Sequence, residues 1–201
     1  MADYTARVAP FINKTFYVTS QAGTYPDGTY HSGLDISTGK GTRGANLYSI
    51  CNGIVIKKEY NEGGYGNYII IKDNESNYAF LFAHMADPAL KNVGDNIILG
   101  EQFGIEGATG NVTGLHTHIE MQDYVKNSNK WIMKPNDSSL WGSVYLPATD
   151  YMGFPNQLGI SVIYDGTPVP PVPPTPTRRK RKHFNFVLFK KKNLNKIFYK
   201  N

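Results

Sequence analysis

The chain has 201 residues, 40% of them hydrophobic, with 20 Gly, 14 Tyr and 10 Phe, enough for one domain with a real core and a balance that favours strands and turns over helices. Its single cysteine, Cys51, excludes an intrachain disulfide, so folding needs no oxidising compartment and the thiol is expected to serve as a small buried hydrophobe. The net charge of +5 is unevenly placed: ten of the 21 basic residues fall within 178–201, which holds no acidic residue, leaving eleven against all 16 acidic residues in the body.

The N-terminal MADYTARVAPFINK has no basic region followed by an apolar run, which predicts a chain made in the cytosol with neither secretory signal nor transmembrane anchor. "YPDGTYHSGLDI" then places His31 and Asp35 four apart in a glycine-containing turn. "SICNGIVIKKEY" reads as two strand pieces around Gly53, and "GNYIIIKDNESNYAFLFAH" as a hairpin turning at 73–77. Alternation in the second arm puts Tyr78, Phe80, Phe82 and His84 on one face. "NVGDNIILGEQFGIEGATGNVTGLHTHIEMQ" continues as short strands between glycine turns, and its last strand lines up His116, His118 and Glu120 against Thr117, Ile119 and Met121. The glycines of "GATGNVTG" read as turn residues and groove floor, since no Lys-Ser or Lys-Thr of a phosphate loop follows. With no internal repeat and no amphipathic helix, the body is expected to be all-β or β-dominated.

The body ends at Gly166. "GTPVPPVPPTPT" carries six of the twelve prolines and cannot donate enough backbone hydrogen bonds to join a sheet, so residues 167–177 are expected to form a semi-rigid linker. The tail, 178–201, interleaves cation clusters with "FNFVLF" and "IF"; it reads equally as a disordered, solvated end or as a tether to anionic wall polymers or a membrane surface. Nucleic-acid binding through this tail is the disfavoured alternative, because it leaves the histidines of the body without a role. His183, among the tail's cations, is read as solvated.

Those histidines carry chemistry. A catalytic zinc ion takes three protein ligands from His and Asp or Glu and keeps its fourth position for water. His31, Asp35 and one of His116 and His118 would supply that set, and a net charge of about +1 would acidify bound water toward a pKa of roughly 7. Residues two apart on a strand lie about 6.6 Å apart and point the same way, so one of the pair can ligate while the other faces water or substrate. His84, at the end of a neighbouring strand, can approach the same point.

The residues also resemble a family. His31 to Asp35, the lone histidine of "FAHM" at His84, and "LHTHIE" at His116 to His118 stand in the order of the lysostaphin-type zinc endopeptidases, which cut peptide bonds in peptidoglycan. The similarity covers about residues 26–122, and four of the five histidines fall on motif positions. It implies a small antiparallel β-sheet domain within residues 1–166 with a narrow substrate groove, one Zn2+ held by His31, Asp35 and His118, and His84 and His116 as catalytic histidines. Some members use a tyrosine just before the first ligand to stabilise the oxyanion; Tyr25 and Tyr30 both fit by spacing, and Tyr25 is preferred. Phe82-Ala83-His84 stands where the family often has Tyr-Ala-His. Without a signal peptide, the resemblance is to a bacteriophage lytic enzyme, an endolysin released through the membrane or a virion-associated lysin, acting at the wall. A non-catalytic peptidoglycan-binding or activating module is the alternative, but such relatives usually lose ligands and none is missing. Glu120 shares the face of His118 and is a candidate partner to fix that ring's tautomer, but it is read as a solvated strand end; Asp87 and Asp95 are read as loop residues.

Overall fold

The computed structural model describes residues 2–25, 27–127, 130–133, 145–146 and 148–167, so the linker beyond Thr167 and the basic tail lie outside the described residues. The strands are β1 (Tyr4–Thr5), β2 (Lys14–Ser20), β3 (Gly23–Thr24), β4 (Tyr30–His31), β5 (Leu34–Ser37), β6 (Arg43–Tyr48), β7 (Gly53–Asn61), β8 (Gly66–Asp73), β9 (Tyr78–Met85), β10 (Asn96–Ile97), β11 (Gln102–Gly107), β12 (Thr117–Asn127), β13 (Lys130–Met133), β14 (Tyr145–Leu146) and β15 (Ser161–Tyr164). One short helix, α1 (Ala148–Met152), precedes β15. The expected β-dominated fold is what forms.

The main sheet runs β1-β15-β2-β5-β12-β9-β8-β7-β10, antiparallel except for β1 on β15, with β13 and β14 also pairing β12. Two small pairs, β6 with β11 and β3 with β4, complete it. The β8–β9 hairpin turns where its side chains satisfy the backbone: Asp73 accepts from the Glu75 amide at 3.3 Å and the Ser76 hydroxyl at 2.6 Å, and Ser76 accepts from the Tyr78 amide at 3.1 Å. The stretch before Gly53 is not a strand; β7 opens at Gly53 and carries a bulge between Val55 and Lys57 instead of an interruption.

Strict alternation gives the sheet two unlike faces. Leu34, Ile36, Ile69, Ile71, Phe80, Phe82, Ile119 and Met121 point into the main core with Phe11, Phe16 and Phe103, each large side chain contributing roughly 1.5–3 kcal/mol through burial. Tyr68, Ile70, Ala79, Leu81, Ala83 and Tyr124 cluster separately, on the face that also receives Asp35, His118, Glu120 and Gln122 by alternation. Cys51 is buried in the main core, and burial pushes its thiol pKa up, consistent with a structural hydrophobe.

His84 does not share the face of Phe80 and Phe82. Its backbone is left-handed, φ 62°, and the β8–β9 register slips between Asn67 and Ile69, so Met85 takes the next core position and His84 turns to the opposite face. A non-glycine residue in that conformation costs on the order of 1 kcal/mol and persists only where its surroundings fix it. Here the Tyr65 carbonyl accepts the His84 amide at 2.8 Å.

Candidate metal centre

His31 closes β4 and is buried; its Nδ1 donates to the Gln21 carbonyl at 2.8 Å, which fixes the tautomer and turns Nε2 inward. Asp35 sits in β5 directly opposite His118 of β12, an antiparallel register that brings the two side chains together. Asp35 Oδ1 lies 3.2 Å from His31 Nε2 and 2.9 Å from His118 Nδ1, and the two nitrogens are 3.1 Å apart. Gly33 permits this. A methyl group at that position would meet the Ile119 carbonyl oxygen at 2.5 Å and the His118 ring at 2.7 Å.

His118 is inverted relative to its neighbours. Its Nε2 donates to Glu120 Oε1 at 3.2 Å, leaving Nδ1 toward Asp35, whereas His84 and His116 commit Nδ1 to the carbonyls of Thr109 at 2.9 Å and Gly114 at 3.0 Å. Three lone-pair donors thus converge with no hydrogen of their own between them, an arrangement that repels unless a cation lies among them. Ligands of a tetrahedral ion with bonds of about 2.0–2.1 Å stand roughly 3.3 Å apart, so the observed separations fit zinc. In the metal-free site a proton fills that role. Burial alone would lower the His118 pKa, but Asp35 and Glu120 together raise it to about 9. Against its own burial, Asp35 is held well below the usual carboxylate range by His118 and His31.

The other two imidazoles flank the centre. The His84 ring lies 4.7 Å from that of His116 and 6.0 Å from that of His118. Desolvation lowers the His84 pKa to about 4, so it is neutral at pH 7. His116, partly exposed at the entry to β12, bridges back to Gly107 and places Nε2 3.9 Å from Asp35 Oδ1. Gly107 in turn packs against the His84 carbonyl, where an added Cβ would approach to 2.6 Å.

The sequence profile of peptidase family M23 matches residues 29–130, a span that holds Asp35 and four of the five histidines, His31, His84, His116 and His118. The chain belongs to peptidase family M23. Peptidoglycan DD-endopeptidase ShyB of Vibrio cholerae is 36% identical over 93 residues, 45% of this chain and 20% of that protein. The match covers only 18% to 27% of the first curated relatives. The catalytic domain of the prophage-encoded M23 protein EnpA of Enterococcus faecalis, crystallised as a mutant, superposes with a TM-score of 0.51 at 25% identity, covering 62% of this chain and 92% of that one. A zinc-containing peptidase of Vibrio cholerae superposes at 0.50 with 29% identity, over 65% and 39%.

In this M23 chain, Tyr25 stacks on the His31 ring at a centroid distance of 4.1 Å, and burial with nearby Asp35 pushes its hydroxyl pKa up to about 12, so it remains a proton donor. Tyr30 precedes His31 on β4, its pKa raised by burial and by Glu120. Glu120 is the correction to the sequence reading. It is no solvated strand end but fully buried, accepting at Oε1 from the Ser32 hydroxyl at 2.6 Å, the Tyr65 hydroxyl at 2.7 Å and His118, and at Oε2 from the Gln122 amide. Burial raises its pKa, yet the His118 and hydroxyl donors outweigh that and lower it overall. Tyr65 belongs to no motif of the sequence; its one signal is its setting between glycines, in "GGYGNY". Asp87 pairs with Arg43 on the surface at 2.7 Å, and Asp95 caps its turn at the Asn92 amide at 2.8 Å, both loop roles.

Proposed function

We propose that the chain is a zinc-dependent peptidoglycan hydrolase, an endopeptidase that cuts crosslink or stem peptides of the bacterial wall with one zinc ion per chain. The convergence of His31 Nε2, Asp35 Oδ1 and His118 Nδ1, all within 4.8 Å of one another, beside two further histidines, carries this reading. Those three residues would hold the ion, and bound zinc supplies polarisation of the scissile carbonyl and a water acidified to a pKa near 7.

The remaining steps belong to the chain's own side chains. His116, with Nδ1–H fixed on Gly114, offers Nε2 as the base that takes the proton of the attacking water, and its partial exposure lets it pass that proton to the leaving amine. His84, neutral and held by Thr109, shares the proton with His116 across adjacent rings. Tyr25 keeps its proton and donates a hydrogen bond to the developing oxyanion. The amide is cleaved without a covalent enzyme intermediate. The activity named for ShyB supports peptidoglycan as the substrate, and the prophage origin of EnpA supports a phage lytic role, as endolysin or virion-associated lysin. The basic tail, in this reading, holds the enzyme on anionic wall polymers or membrane.

Purified protein should contain about one zinc per chain and clear a wall suspension, with clearing stopped by a chelator and the cut bond identified by mass spectrometry of the released fragments. Stoichiometric zinc with no peptide released from any wall type would instead make the chain a binding module.

A further inference from the structure

We infer that Glu120 is the positioning residue that selects which nitrogen of His118 faces the ion, and that its carboxylate ties the ligand-bearing segments to the strand of His84. This rests on the zinc site proposed above. An imidazole can turn either nitrogen inward, and His31, His84 and His116 all use Nδ1 for an outward hydrogen bond. His118 alone uses Nε2, because the one strong acceptor on its outer side is the carboxylate two residues further along the same strand face.

The rest of the carboxylate is fully engaged. Ser32, which reaches Oε1, lies between the ligands His31 and Asp35. Tyr65 reaches the same oxygen with its hydroxyl while its backbone carbonyl accepts the amide of His84. Gln122 holds Oε2 and itself accepts from the Tyr124 hydroxyl at 3.0 Å. One buried acceptor therefore joins the β4–β5 turn, the β7–β8 turn and β12, the three places from which the site is assembled. Removing it frees the His118 ring to flip and takes an acceptor from Ser32, Tyr65 and Gln122.

The test measures zinc affinity by competition with a chromophoric chelator and records the visible spectrum of the cobalt-substituted protein, both without substrate. Glu120→Ala should bind zinc about 10- to 100-fold more weakly and shift the cobalt bands. Glu120→Gln, which keeps an acceptor oxygen for His118, should recover part of that loss. Tyr65→Phe should weaken zinc by a smaller factor. If Glu120→Ala does not fold, the Gln and Phe variants carry the test, and wild-type affinity with unchanged cobalt bands in those variants overturns the inference. The same result in a folded Glu120→Ala overturns it too. Failure of the unmodified protein to bind zinc would instead remove the proposed function on which it rests.

Discussion

Replacing Gly33 with alanine puts the packing of the site to a direct test. The added methyl would lie 2.5 Å from the Ile119 carbonyl oxygen and 2.7 and 2.8 Å from Cε1 and Nε2 of His118. A tolerable contact needs at least about 0.5 Å more, as real Cβ contacts stay above 3.0 Å. Neither wall yields easily. The carbonyl belongs to the β5–β12 pairing, in which Leu34 faces Ile119 and Asp35 faces His118, and the ring is held between Asp35 and Glu120. Overpacking of this kind costs about 1–3 kcal/mol. The same displacement exceeds the roughly 0.2 Å within which zinc–ligand distances must hold. Gly33→Ala should therefore lower the urea midpoint of the metal-free protein and weaken zinc at least tenfold by chelator competition. A variant with unchanged midpoint and unchanged affinity would refute the claim that close approach at Gly33 sets the ligand geometry.

His118→Ala should lose metal and activity together, because two ligands rarely hold zinc tightly, whereas His116→Ala should keep its zinc and lose about 10²- to 10⁴-fold in kcat; equal loss of zinc in both would end that division of labour. In the metal-free protein, His118, with its folded pKa raised to about 9 from 6.5, contributes stability fully present below pH 6.5 and lost as the pH rises through 9. Urea midpoints in chelator should accordingly fall across that window, and zinc-loaded protein should not show the fall, since the ion replaces the proton; a flat metal-free profile would contradict the electrostatics described. Truncation after Gly166 should preserve cleavage of soluble wall peptides and weaken attachment to intact walls, measured by sedimentation with the walls.

The fold class was legible because strand-forming residues run unbroken through β8, side-chain faces alternate along β9 and β12, and turn residues punctuate them. The His116–His118 spacing was visible for the same reason, since period two places side chains on one face, whereas His31 and Asp35 stand on β4 and β5 across a turn and only their residue types mark them. Two features were not. Nothing in the alternation of Tyr78, Phe80 and Phe82 announces the left-handed backbone at His84, which depends on a register slip against β8 and on the Tyr65 carbonyl. Nor does a glutamate near a strand end look buried until donors distant in the chain, Ser32 and Tyr65, arrive to satisfy it.

Asp35 and His118 stand on strands that have hydrogen-bonded neighbours on both sides, deep within the main sheet rather than at its rim. Were the proposed ion lost, these two strands would keep their sheet neighbours and this part of the cage would outlast its occupant, while His31 stands outside the main sheet on the β3–β4 pair. A zinc hydrolase of the kind proposed would then sit out metal-poor surroundings as a folded but idle molecule, a behaviour closed to small domains that unravel when stripped.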